Sequence, residues 1–122
     1  MQNKDLENIL IPIGHLSSML NVHQRTLRIY EEENILVPKR SLGNRRLYSI
    51  KDIEKAKLIL FLTRNLAINL SGVKIIIEIL NKIKINKKDY IDFIDFTAKS
   101  VKINQNENII RSLKRGRKKA IF

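Results

Sequence analysis

Residues Val22 to Tyr48 read VHQRTLRIYEEENILVPKRSLGNRRLY, and this stretch decides the fold. It opens with a short basic helix and closes on a turn that carries Arg45 and Arg46 side by side. Glu31, Glu32 and Glu33 stand between them, so the positive charge is placed at two ends rather than smeared. A basic helix followed closely by a basic hairpin can grip a duplex twice, once in a groove and once on the backbone.

The flanking pattern supports a pair of helices. Ile13, Leu16, Met19 and Leu20 recur three and four apart, which predicts a helix with one apolar face. Asn21 ends it, because Asn tolerates the left-handed backbone of a tight turn. A second helix is expected from about Gln24 to Glu33, with Leu27 and Tyr30 inward. Two short helices across a tight turn form a helix-turn-helix. Asn34 and Pro38 punctuate the exit. Leu36 to Arg40 and Arg46 to Tyr48 can then pair around Ser41-Leu42-Gly43-Asn44, where Gly and Asn are expected to supply positive φ angles. This hairpin is the expected wing. The first ten or so residues read as a loose lead-in.

Downstream, Ser49 is expected to cap a helix running to about Asn65, with Asp52 favoured by the helix dipole. Its middle, Leu58 to Leu62, is apolar all round and needs neighbours on more than one side. Residues 65–70 turn the chain. A helix from Ser71 to about Lys84 carries Val73, Ile76, Ile77, Leu80 and Ile83 on one face, so the two are expected to form a helical hairpin. From Asp89 a last helix shows a stripe of Tyr90, Phe93, Ile94, Thr97 and Val101, followed less regularly by Ile110 and Leu113, with a break expected at Asn104 to Asn108. A stripe with little chain left to cover it predicts a dimerisation helix, against the alternative that it folds onto its own core.

The fold class expected is therefore mainly α. It is a winged helix-turn-helix with a small β-hairpin wing, a helical hairpin and a C-terminal dimerisation helix. Residues 1–85 would form the DNA-binding domain, 86–115 the dimerisation region and 116–122 a basic tail.

Charge names the partner. The 122 residues carry 24 Lys and Arg against 12 Asp and Glu, a net +12. Such an excess attracts a polyanion, with nucleic acid ahead of an anionic membrane surface. Cysteine is absent, which removes disulfides, thiolate-bound metal and a cysteine nucleophile. His15 and His23 lack the flanking carboxylates of a zinc site. No paired carboxylates or glycine-rich phosphate loop suggest an enzyme, and no cofactor is expected. No apolar run approaches a membrane span and the N-terminus lacks the form of a secretory signal, so a cytoplasmic, nucleoid-associated protein is expected.

The candidate DNA contacts divide between helix and wing. His23, Gln24, Arg25 and Thr26 open the presumed recognition helix, the end that enters a major groove first. Arg25 can pair two ways with guanine O6 and N7, and Gln24 similarly with adenine. Arg28 lies one turn on, within reach of a base or a phosphate. Tyr30 can offer its hydroxyl to a phosphate or fill the core. In the wing, Lys39, Arg40, Asn44, Arg45, Arg46 and Tyr48 are the candidates. Adjacent strand side chains point to opposite faces, so only one of Arg45 and Arg46 can face a groove squarely; the other reaches a phosphate or packs against the helix.

These residues resemble the MerR family of bacterial transcription factors. The similarity is carried by Val22, Thr26-Leu27-Arg28, Tyr30-Glu31, Leu36-Val37-Pro38, Arg46-Leu47-Tyr48-Ser49 and Asp52-Ile53, and covers residues 11–80. Within the family the chain resembles HspR, the repressor of heat-shock chaperone genes, through Val22-His23, Gly43-Asn44 and Asn69-Leu70-Ser71-Gly72-Val73-Lys74. Nitrogen regulators of the glutamine-synthetase type share the Gly-Asn wing. The resemblance implies a homodimer joined by an antiparallel coiled coil of C-terminal helices. It implies double-stranded DNA as partner, bound at a palindromic operator with the recognition helix in the major groove and the wing on flanking backbone. For HspR-like proteins it implies repression of chaperone operons with a chaperone as co-repressor. Three departures stand out. Asn34 replaces the usual Gly, Gln24-Arg25 replaces Pro-Gln, and the missing cysteines remove metal sensing. The region after Ser71 is too short for a drug-binding domain.

Overall fold

The sequence suggested a loose lead-in over the first ten or so residues; residues 1–7 of it lie outside the described residues, and the first described element is a strand that begins at Leu10. The computed structural model describes residues 8–102. Strand β1, Leu10–Pro12, pairs antiparallel with β3, Arg46–Ser49, placing Ile11 opposite Tyr48 and Pro12 opposite Leu47. With β2, Lys39–Arg40, on the far side of β3 the sheet order is β1-β3-β2, so β1 is an edge. An edge tolerates Pro12, which has no N–H to give the ladder. Pro12 is also the residue before helix α1, with φ −73° and ψ 162°.

Helix α1 spans Ile13–Leu20 and α2 spans Gln24–Glu32. The turn between them rests on Asn21, whose φ is +53°, and Val22 N–H donates to Ser17 O at 3.0 Å. Leu16 and Ser17 are the buried residues of α1; Ser17 satisfies its hydroxyl by donating to Gly14 O at 2.9 Å. Met19, read as part of the apolar face, is 53% exposed. Three- and four-residue spacing alone does not separate it from Leu16, because an eight-residue helix has only two turns to define a face. In α2, Leu27 and Tyr30 are buried as expected, and Val22 is buried just before it.

Asn34 ends α2 with φ +61°. Strands β2, Lys39–Arg40, and β3, Arg46–Ser49, then form the wing, with Lys39 opposite Leu47 and Arg40 opposite Arg46. In the tip, Asn44 N–H donates to Ser41 O at 2.9 Å and Arg45 N–H to Ser41 Oγ at 3.1 Å. Only Asn44, at φ +64°, takes the left-handed conformation; Gly43 does not, contrary to the expectation for both.

Helix α3, Ile50–Leu60, starts with a reciprocal cap. Asp52 N–H donates to Ser49 Oγ at 3.1 Å and Ser49 N–H donates to Asp52 Oδ2 at 2.9 Å, so each side chain satisfies the other's orphan amide. The helix widens to a π turn over Phe61–Asn65, where Leu66 N–H reaches back to Phe61 O at 3.3 Å and Thr63 Oγ1 donates to Ile59 O at 3.0 Å. Ala67 follows at φ +57°, an uncommon conformation for a residue with a Cβ.

The chain divides into two compact units, Met1–Lys57 and Leu58–Phe122. The core of the first holds Leu16, Leu27, Tyr30, Leu36 and Tyr48; that of the second holds Leu62, Leu66, Val73, Leu80 and Ala98. In the second unit α4 spans Leu70–Lys82 and packs on the π turn. Asn69 caps it, its Oδ1 accepting from Gly72 N–H at 2.8 Å. A Cβ on Gly72 would lie 2.6 Å from Ile68 Cγ2, so this position requires glycine. Of the expected α4 face, Val73 and Leu80 are buried, while Ile83 lies beyond the helix end. A 3₁₀ turn, Lys87–Asp89, leads into α5, Tyr90–Ser100. The expected break at Asn104 to Asn108, Ile110, Leu113 and the basic tail lie outside the described residues.

Candidate nucleic-acid interface

α2 and the wing are joined by a carboxylate that the sequence suggested only as a break in charge. Arg40 and Arg46 are directly opposed across β2 and β3. Two like charges in that position repel. Glu31 lies between them: Oε2 is 2.8 Å from Arg40 Nη2 and Oε1 is 2.6 Å from Arg46 Nε. Arg40 also donates to Asn44 O in the wing tip at 3.2 Å. The Arg46 hydrogen bond, ahead of that from Arg40, holds the Glu31 carboxyl below its ordinary value of 4.5 even though burial opposes the shift. Glu31 thus ties α2 to the wing.

Arg45 and Arg46 differ in their surroundings. Arg46 packs against the helix and is tied to Glu31, whereas Arg45 is exposed at the wing tip. Among the described residues the side chains of Arg25, Lys39 and Arg45 form no ion pair and remain open to an external anion. Asn44, Arg45 and Arg46 share an open groove of about 440 Å³ with Pro12, Ile13, Gly14, His15 and Gln24. The wing tip and the start of α2 therefore face one concavity.

At the head of α2, His23 is the N-cap, its Nδ1 accepting from Arg25 N–H at 3.1 Å. Gln24 Oε1 accepts from Arg28 Nη2 at 3.1 Å. Arg25 and Arg28 are exposed and Thr26 is half-buried.

Two candidates are not at the surface. Tyr30 is 4% exposed and Tyr48 is wholly buried, the Tyr48 hydroxyl included. Both lie where their aromatic bulk fills the core, at the inward position of α2 and opposite Ile11 on β3. Among the described residues Tyr48 Oη has no hydrogen-bond partner, and burial pushes its phenol above the ordinary value.

The stripe on α5 divides between two faces. Tyr90 is buried, its hydroxyl donating to Leu80 O at 3.2 Å, and Ala98 is buried two turns on, with half-buried Ile94 between. Phe93, Thr97 and Val101 are exposed, and so is Phe96, which the stripe as first drawn omitted. Tyr90 and Ile94 pack within the chain. Phe93, Phe96 and Val101 form an apolar row that is exposed among the described residues, and the signal for it was the spacing from Phe93 through Phe96.

Two helices across a left-handed Asn turn, followed by a hairpin locked to the second helix, define a winged helix-turn-helix. The chain belongs to the MerR HTH family of regulatory proteins, whose family model matches residues 11–79. It is 38% identical over 65 residues to the HTH-type transcriptional regulator GlnR of Bacillus anthracis, covering 53% of this chain and 50% of that one. It is 36% identical over 71 residues to the putative heat shock protein HspR of Streptomyces coelicolor, covering 58% of this chain and 47% of the relative. The chain thus spans about half the length of these curated relatives. Its fold is similar to the crystal structure of HiNmlR, a MerR family regulator lacking the sensor domain, bound to promoter DNA. That similarity has a TM-score of 0.63 at 20% identity and covers 88% of this chain and 77% of that chain.

Proposed function

We propose that the protein is a sequence-specific DNA-binding transcriptional regulator that acts at the nucleoid as a homodimer on a palindromic operator. The observation that carries this reading is the shared groove between the head of α2 and the wing tip, together with exposed, unpaired Arg25 and Arg45 on its flanking elements. Arg25 reads a base edge in the major groove, and Arg45 with Lys39 holds phosphates. Thr26 and His23 contribute at the same helix end. The bound promoter of HiNmlR supports the same mode of action. Residues 1–85 supply the DNA grip, 86–115 the dimer contact through Phe93, Phe96, Thr97 and Val101, and 116–122 add unspecific attraction for phosphate.

Repression of heat-shock and chaperone genes, with a chaperone as co-repressor, is the regulon we favour, supported by the 36% identity to the HspR relative and by the HspR-like Val22-His23 and Asn69-to-Lys74 of this sequence. The similarity to GlnR supports nitrogen metabolism as a second reading. Genome-wide occupancy before and after heat shock, and before and after a nitrogen shift, separates them. Occupancy at chaperone promoters released by heat supports the first; occupancy at glutamine synthetase promoters supports the second. A non-specific basic RNA- or nucleoid-binding protein would be displaced equally by RNA and unrelated DNA, whereas this regulator keeps its operator against both.

A further inference from the structure

Gln24 and Arg28 stand one helical turn apart on α2, and their side chains are joined. Arg28 Nη2 donates to Gln24 Oε1 at 3.1 Å. Gln24 is also confined from α1. A Cβ at Gly14 would lie 3.3 Å from Gln24 Nε2, a tighter approach than ordinary van der Waals contact, so the glycine leaves room for the carboxamide.

This arrangement changes what Gln24 can do. Recognition of adenine by glutamine uses both ends of the amide: the oxygen accepts from N6 and the nitrogen donates to N7. Here the oxygen is engaged by Arg28. The guanidinium has five N–H donors in a planar fork, so giving one to Gln24 leaves enough to pair twice with guanine O6 and N7. A free arginine on a helix surface samples many rotamers, and fixing it on binding opposes affinity. A tether made before binding removes part of that opposition.

We infer that Gln24 is a positioning residue that aims Arg28 at a base, and that Arg28, not Gln24, determines specificity at this point of the helix. The inference rests on the reading that α2 enters the major groove.

The experiment selects duplexes from a randomised pool with the full-length protein, Gln24→Ala, Arg28→Ala, the double variant and Gln24→Glu. Arg28→Ala is expected to lose about ten-fold or more of the preference at one base pair per half-site. Gln24→Ala weakens the preference at that same base pair, and the double variant is no worse there than Arg28→Ala. Gln24→Glu keeps the acceptor, so it retains the preference while binding all duplexes more weakly through its added negative charge. Loss of an A·T preference at a different base pair in Gln24→Ala, or independent multiplying effects of the two substitutions, overturns the inference. Nitrogen NMR of the free protein tests the tether without DNA: slowed rotation of the Arg28 guanidinium in the wild type should be lost in Gln24→Ala, and no change would also overturn it. A wild-type protein that enriches no sequence while showing the tether would defeat the DNA reading rather than the pairing.

Discussion

Glu31 Oε1 accepts a 2.6 Å hydrogen bond from Arg46 Nε, joining the recognition helix to the wing. The same carboxylate takes Arg40 at 2.8 Å, so one acid neutralises a cross-strand pair of like charges. The wing's position is therefore set by chemistry on α2, and Arg46 serves the fold before it serves any ligand.

Glu31→Gln tests this clamp. Removing the charge leaves two opposed guanidiniums, and a loss of about 1 kcal/mol is expected at neutral pH. The Glu31 carboxyl titrates below its ordinary 4.5, so the stabilisation from its charged form is fully present above that pH. It is lost as pH falls from 4.5 through the folded-state value, where the carboxyl protonates. Thermal melts of wild type and variant should differ by a constant amount at neutral pH and converge in acid. A gap independent of pH would show that the charge is not what holds the wing.

Tyr48→Phe should leave stability unchanged or raise it by about 1 kcal/mol, because a buried hydroxyl without a partner is costly. DNA affinity should not move, as the side chain is fully buried. Denaturant unfolding with paired binding titrations checks both halves; a marked loss of stability would mean that the hydroxyl is bonded.

Ala67→Gly addresses the left-handed residue after the π turn. Relief of a strain of about 1–2 kcal/mol outweighs an added unfolded-state entropy of about 0.4–1 kcal/mol. A small rise in thermal midpoint is expected. Gly72→Ala should do the opposite, since its Cβ would strike Ile68.

Phe96→Asp should break the proposed dimer. Its ring is 72% exposed, so the protomer's fold should survive the change. Sedimentation should show a concentration-dependent dimer for wild type and a monomer for the variant, with unchanged circular dichroism per residue. A wild type that stays monomeric at tens of micromolar would remove the covered-face reading.

Much of this was legible in the sequence because local rules agreed with the fold. Asn21 and Asn34 mark turns that need positive φ, and both adopt it. Ser49 and Asp52 are spaced for a cap and form one in both directions. Strand β1 was illegible because three residues cannot show alternation, and its pairing partners lie 35 to 39 residues away. Glu31's role was hidden for a similar reason. Its partners are 9 and 15 residues distant, and only the folded hairpin brings them together. Tyr48 sat in a basic stretch, and charge in its neighbours concealed that its own position on β3 faces inward.

In the proposed function α2 reads bases and the wing tip holds the backbone, and paired binding measurements on Arg25→Ala and Arg45→Ala separate the two roles. Each variant is titrated against the selected operator and a random duplex at several salt concentrations. Arg25→Ala should lower the operator-to-random affinity ratio about ten-fold or more. Arg45→Ala should weaken both duplexes alike and reduce the salt dependence by about one phosphate contact. Equal losses on both duplexes for both variants, with the ratio intact, would contradict the assignment of base reading to α2.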